Sequence, residues 1–157
     1  MRIGILSDSH HDHDAIRTAI HLMGQVDHII HAGDNYSDAK HISKEYGLEV
    51  TAVKGNTDMG LGKLEKILEM NGRKILVTHG HKYHVKRGYQ KLYYRALEAQ
   101  VDIVVFGHSH VAVKFIESNI LFINPGSVSI PYDDKEKSFA ILEIKDEENK
   151  VNLQYFG

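Results

Sequence analysis

The sequence predicts an α/β protein in which two mixed sheets pack face to face with helices outside. Two observations carry this reading. Through the first half, apolar runs of strand length alternate with helix-periodic stretches, which implies parallel pairing with right-handed crossovers. The second half instead carries three hairpin patterns around short turn signals. At 157 residues the length prior is one domain, spanning residues 1–157 and large enough to bury a core.

Taken in order, "RIGILS" is a short apolar strand that ends at Asp8. Ile16, Ala19, Ile20 and Met23 fall on one face of a helix closed by Gly24. "DHIIHA" is a second strand, ending at Gly33-Asp34. Ala39, Ile42 and Tyr46 mark a helix after Ser37 that Gly47 closes. "LEVTAV" is a third strand and runs into "KGNTD". "LEKILEM" and "RKILVTHG" form a hairpin on Asn71-Gly72. Tyr89, Leu92, Tyr93, Ala96 and Leu97 make an apolar helix stripe. "DIVVFG" is a buried strand, "VAVKFIE-SN-ILFINPG" a second hairpin, and "KSFAILEIKDEENKVNLQYF" a third.

Bulk properties exclude several classes. The net charge is −2 and the pI about 6.6, which argues against long nucleic acid and anionic membrane as partners. With no Cys, any metal must be held by nitrogen and oxygen ligands. There is no signal-peptide pattern, and no apolar run approaches the roughly 18 residues of a membrane span. A cytoplasmic location is therefore expected. The outlier is histidine, with 12 copies against two Pro and no Trp. Histidine is the commonest metal ligand and a near-neutral acid or base.

Their placement is ordered. Each apolar strand of the core is followed by a polar cluster: Asp8 and His10 in "SDSH", Asp34 in "HAGD", Asn56 in "KGNTD", His79 in "THGH", His108 and His110 in "GHSH". Open α/β sheets hold ligands outside the carboxyl ends of their strands. Asp8/His10 and His108/His110 are i, i+2 pairs, which in extended backbone point to one side. Gly33, Gly55, Gly80 and Gly107 each neighbour a candidate ligand and let side chains converge without Cβ crowding. Two carboxylates, four imidazoles and an amide are too many for one open tetrahedral ion. They suit two divalent ions sharing a carboxylate, with Asp34 as the bridge. Such a pair attracts and polarises a phosphate oxyanion.

In order and approximate spacing these five motifs resemble the calcineurin-like metallophosphoesterases, and "GNTD" resembles their small prokaryotic YfcE-type phosphodiesterase branch. The resemblance covers residues 3–127. It implies a four-layer α/β/β/α sandwich. It also implies Asp8, His10, Asp34 and His110 at one metal, and Asp34, Asn56, His79 and His108 at the other. The expected activity is hydrolysis of a small phosphodiester by a hydroxide bridging two divalent ions. Manganese is the first metal to try, with Fe, Zn, Ni and Co as alternatives.

Catalytic duty is expected of Asn56, Asp58 and His79, and substrate contact of Asn56, His11 and His81. Asn56 offers its amide oxygen to metal and its NH2 to phosphate. Asp58 orients a ligand His or the Asn56 loop. Thr57 departs from the wider family, where the residue after Asn is usually a His thought to protonate the leaving group. Either the substrate has a good leaving group, or His11, His81 or a bound water supplies the proton. Among other histidines, His21 and His41 are read as solvated, His28 and His31 as structural, and His13 and His84 as rim residues. "INPGSVSIP" is read as a structural turn bordering the site. Tyr132 is a candidate dimer contact. The competing readings are a phosphomonoesterase or nucleotidase on the same site, and a protein-binding scaffold like the retromer subunit of this fold.

Overall fold

The computed structural model describes residues 1–60 and 62–157. One sheet is ordered β10-β9-β1-β2-β3 and the other β4-β5-β6-β8-β7. The first contains β1 (Arg2–Leu6), β2 (His28–His31), β3 (Val50–Ala52), β9 (Lys137–Lys145) and β10 (Glu148–Phe156). The second contains β4 (Glu65–Met70), β5 (Arg73–Thr78), β6 (Ile103–Val105), β7 (Ala112–Glu117) and β8 (Ile120–Pro125). Each sheet has a parallel centre. β1 pairs with β2 and β2 with β3 in parallel, as do β5 with β6 and β6 with β8. Antiparallel hairpin strands finish the edges.

Strand alternation sends side chains to both faces of each sheet, so three apolar clusters define four layers. Ile3, Ile5, Ile30 and Val53 meet Ile75, Val77, Ile103 and Ile123 between the sheets. Leu6 and Ile29 face outward against α1 (His13–Met23) and α2 (Ser37–Tyr46). Leu76, Val104 and Phe122 face outward against α3 (Gln90–Ala99). This is the α/β/β/α sandwich that the sequence predicts.

Most local signals act as read. The Asp12 carboxylate caps α1 by accepting from the Ala15 N–H at 2.9 Å, which satisfies one of the donors a helix start leaves open. Gly24 and Gly47 close α1 and α2 at positive φ. Asn71 and Gly72 are both at positive φ, as a two-residue I′ hairpin turn requires. One detail differs. Leu97, expected in the α3 core stripe, is 44% exposed; of that helix Leu92 and Ala96 are the buried residues. Gln100 closes α3 in the left-handed region.

Candidate metal centre

The loops after β1, β2, β3, β5 and β6 open at one rim. Backbone bonds stitch them together: the N–H groups of Asp8 and Ser9 donate to the Gly33 and Asp34 carbonyls, and Gly107 N–H donates to the His79 carbonyl. The segment after β8 buttresses them. The Ser127 and Ser129 hydroxyls donate to the Asp8 carbonyl at 2.8 and 2.7 Å. Asn124 Nδ2 donates to the Gly107 carbonyl at 3.0 Å. "INPGSVSIP" is thus a structural turn as expected, but one whose side chains hold the site. Nothing in the sequence pattern singles out Ser129.

Asp8, His10, Asp34, His79, His108 and His110 converge here, with Asn56 beside them. One compact group contains Asp8, His10 and His110, and another Asp8, Asp34 and His79; in each, the candidate donor atoms lie within 4.8 Å of one another. The geometric groups share Asp8, whereas the sequence reading gives the shared place to Asp34. The His108 ring lies 5.1 Å from His79 and the His10 ring 5.7 Å from His110.

The means of convergence is not the extended alternation read from the i, i+2 spacing. Asp8, His10, Asp34, His108 and His110 all have φ between 44° and 69°, so each turns through left-handed backbone. Asp, Asn and His tolerate that region better than most residues, and such strain concentrates at functional sites. Glycine supplies room rather than rotation at two positions. A Cβ on Gly55 would sit 1.8 Å from Asp34 Oδ1, and one on Gly107 would sit 2.0 Å from Ser7 Oγ and 2.8 Å from Asp8 Oδ2.

Hydrogen bonds settle which nitrogens are free. His79 is fully buried, and its Nδ1 donates to the Ala32 carbonyl at 2.8 Å. In the neutral ring its Nε2 is then a bare lone pair. That nitrogen faces Asn56 Oδ1 at 3.2 Å, Asp34 Oδ2 at 3.3 Å and Asp8 Oδ1 at 3.7 Å. His110 repeats the pattern, with Nδ1 donating to the Ile130 carbonyl at 2.5 Å and Nε2 lying 3.1 Å from Asp8 Oδ1. Asp8 Oδ1 and His10 Nε2 are buried without a hydrogen-bond partner. Lone pairs aimed at one another across a buried space suit a shared cation.

The titration behaviour marks the same space as negative and attractive to positive charge. Burial works against the charged form of His79, but its bond to Asp34 and the charges of Asp8 and Asp34 outweigh burial and raise its pKa. Burial likewise pushes Asp8 and Asp34 upward, and the His110 and His79 bonds reverse the effect, so both carboxylates are held low. Burial, with the nearby His79 and Lys86 charges, drops His108 to about 4. The donor set therefore fits divalent metal, with oxygen and imidazole ligands and outer ring nitrogens fixed by carbonyls.

The other expected residues divide. The Asp58 carboxylate touches no imidazole; it accepts from the N–H groups of Asn35, Tyr36 and Gly55 at 3.0, 2.9 and 2.8 Å. It pins the Asn56 loop to the Asp34 loop. Thr57 donates its N–H to Asp34 Oδ1 at 3.1 Å, and its side chain is exposed. The His81 ring is 5.5 Å from His79 and 6.0 Å from His108, with Nδ1 buried and unpartnered. His11 turns instead to Asp38, Nδ1 to Oδ1 at 3.0 Å. His84 is exposed at positive φ. His31 is buried and bonds Ser9 at 2.8 Å, and His28 bonds Thr51 at 2.9 Å; both are structural. His21 is exposed, as read, while His41 is half-buried against His13. A cleft of about 530 Å3 opens beside His110, lined by Val85, Lys86, Tyr89, Ser109, Val111 and Tyr132.

Comparison with known proteins adds the following. The profile of the calcineurin-like phosphoesterase superfamily domain matches residues 1–147. The probable metallophosphoesterase YsnB of Bacillus subtilis is 39% identical over 155 residues, covering 98% of this chain and 90% of that protein. Phosphodiesterase MJ0936 of Methanocaldococcus jannaschii is 31% identical over 147 residues, covering 80% and 83%. The crystal structure of a predicted phosphoesterase from Streptococcus pneumoniae TIGR4 superposes with a TM-score of 0.84 at 33% identity, covering 98% and 88%. Zinc-complexed Vps29 from Entamoeba histolytica shares the fold, with a TM-score of 0.80 at 22% identity over 99% and 98%.

Proposed function

The chain belongs to the calcineurin-like phosphoesterase superfamily, and from that premise we propose that it hydrolyses small phosphodiesters at the rim centre. It is a metal-dependent phosphoesterase. The observation that carries the reading is the inward-facing set of ligand atoms: the Nε2 lone pairs of neutral His79 and His110, beside Asp8 Oδ1 and His10 Nε2, which are buried without a hydrogen-bond partner.

Two divalent ions fit the donor count. Asp8, His10, Asp34 and His110 would hold one; Asp34, Asn56, His79 and His108 the other. Asp8 Oδ2 is already taken by the Ser7 hydroxyl at 2.6 Å and the His108 N–H at 3.2 Å, which leaves Oδ1 as its ligand atom. Manganese is the first metal to supply. When bound, such ions polarise a phosphoryl oxygen and make water a nucleophile near neutral pH. The side chains of the protein do the remaining work. The Asn56 oxygen faces inward, so its NH2 is free to donate to a phosphate oxygen. His81, its ring 5.5 Å from His79 and 6.0 Å from His108, is the candidate donor to a leaving oxygen or phosphate oxygen. Asp58 acts through the loops it ties together.

The cleft beside His110 supports a diester over a monoester substrate, because it offers space and two aromatic walls, Tyr89 and Tyr132, to a second ester arm. The Vps29-like alternative, a protein-binding scaffold, rests on fold likeness alone. We place the protein in the cytoplasm, acting as one domain over residues 1–157; among the described residues no helix is long and apolar enough to cross a membrane.

The test is an assay of metal-stripped protein on an activated aryl phosphodiester, with and without Mn2+ and beside the matching monoester. Turnover should require metal, favour the diester and vanish in Asp34→Ala and His79→Ala. Metal-independent turnover, or full activity in either variant, contradicts the proposal.

A further inference from the structure

A second histidine cluster lies outside the centre. Asp38, in the first turn of α2, is only 1% exposed. Its Oδ2 accepts from the Ser9 hydroxyl at 2.5 Å and the His11 N–H at 3.1 Å. That fixes the carboxylate and aims Oδ1 outward at His11 Nδ1, 3.0 Å away, and His13 Nε2, 3.5 Å away. Both imidazoles are exposed. The ring of His13 is held from behind by His41, stacked at 4.0 Å with an interplanar angle of 10°. The Ser9 hydroxyl is oriented in turn. Gly33 N–H donates to His31 Nδ1 at 3.2 Å, so His31 Nε2 carries the proton and donates to Ser9.

We propose that His11, His13 and Asp38 form an accessory site for a divalent transition metal. Their donor atoms lie within 4.8 Å of one another. Four ligands at about 2.1 Å in a tetrahedron are about 3.4 Å apart. The His13–Asp38 separation already matches that edge, and the His11–Asp38 separation needs a few tenths of an ångström. Among the described residues no Lys or Arg pairs with this buried carboxylate. Two imidazoles and one carboxylate, open to solvent for a fourth ligand, suit Zn2+, Ni2+ or Cu2+ in the order Cu2+ above Ni2+. Ca2+ and Mg2+, which prefer all-oxygen sites, fit poorly. His13 opens α1 and Asp38 lies in the first turn of α2. The ion would clamp the helix starts that follow the loops carrying Asp8, His10 and Asp34. It would be a structural clamp beside the hydrolytic centre, and it does not depend on the phosphodiesterase reading.

The experiment uses the full chain, stripped of metal and dialysed against Zn2+, with bound zinc counted per chain and crystals of the zinc form measured at the zinc absorption edge. Wild type should show an anomalous peak bounded by His11, His13 and Asp38, apart from peaks at Asp8, Asp34 and His79. His13→Gln should lose that peak and one zinc equivalent, while keeping the centre peaks and the Mn2+-dependent rate. His21→Gln, an exposed histidine on the same helix, should lose nothing. No peak at the three side chains when the centre is filled, unchanged zinc in His13→Gln, or equal loss in His21→Gln overturns the proposal. A peak there with an empty centre would support this inference and sink the phosphoesterase mechanism.

Discussion

Asp58→Ala tests whether this carboxylate is catalytic or a brace. Its two oxygens accept three backbone N–H bonds, from Asn35, Tyr36 and Gly55. Hydrogen bonds to a charged group contribute about 1.5–3 kcal/mol each, so the gross loss is roughly 5–9 kcal/mol. Asp58 is only half-buried and water can replace part of each bond, which brings the net cost to about 3 kcal/mol. For a chain of this size that lowers Tm by roughly 6–12 °C. The same loosening frees the Asn56 loop from the Asp34 loop, so metal affinity should fall about 10–100-fold, as for other groups that orient ligands. Asp58→Asn should lie between, because its amide keeps one acceptor oxygen but sets a donor against one of the N–H groups. The assays are Mn2+ titration of the apo protein by calorimetry, thermal unfolding, and kcat at saturating Mn2+. A brace recovers most of its kcat once metal is saturating. If kcat instead stays down by a hundredfold with metal affinity and Tm unchanged, and the pH profile loses a limb, Asp58 is a proton donor or acceptor and the brace argument fails.

Four other outcomes follow from the same coordinates. Gly55→Ala drives a Cβ to 1.8 Å from Asp34 Oδ1, and phosphodiesterase activity should fall by more than about a hundredfold; an active variant would show that Asp34 can move freely. Thr57→His should raise rates on aryl diesters with poor leaving groups more than on those with good ones, at little change in Mn2+ affinity; equal changes across the series count against Thr57 as the missing acid position. Chelation should lower Tm and Mn2+ should restore it, since a ligand of the native state stabilises by mass action; a Tm indifferent to metal contradicts a site this buried. The Arg95 bond holds the Glu65 carboxyl below its ordinary value, so the pair adds stability above the unfolded carboxyl pKa and loses it as pH falls through the lower folded one. Arg95→Leu should therefore cost about 0.5–1 kcal/mol near pH 7, discounted for exposure, and progressively less in paired denaturation curves as pH falls through the lowered folded pKa.

What was legible in the sequence was chemistry set on strand ends; the backbone that delivers it was not. Period-two and period-3.6 patterns depend on a few apolar residues, and burial enforces them, so β1, α1, β2 and the Asn71-Gly72 hairpin could be read directly. The ligand residues were legible for a similar reason: a buried Asp or His beside Gly, repeated after strand upon strand, has few uses in a core except to hold charge. The left-handed φ values of Asp8, His10, Asp34, His108 and His110 leave no such trace, since these residue types occupy many conformations and only neighbouring loops select one. That selection comes from far along the chain. Ser127 and Ser129 hold the Asp8 carbonyl across sequence separations of 119 and 121 residues, and a serine carries no pattern of its own.

Asp58 and Gly55 show the same division within one motif. In "GNTD", Gly reads as a turn that spares Cβ crowding and Asp as a group that orients a ligand His or the Asn56 loop. In the fold Gly55 has no positive φ and matters for the volume that Asp34 occupies, while Asp58 matters for the backbone it gathers. Each residue type was a sound clue that the loop is constrained, but the constraint comes from a partner loop 22 and 23 residues upstream. Around Thr57 the groups are assigned: its backbone N–H serves Asp34, the Asn56 oxygen faces His79, and Asp58 is spent on three amides, so the motif keeps no free imidazole or carboxyl to protonate a leaving oxygen. The candidate within the protein for that proton, beside a bound water, is His81, whose ring nitrogen Nδ1 is buried and unpartnered and whose ring lies 5.5 Å from that of His79.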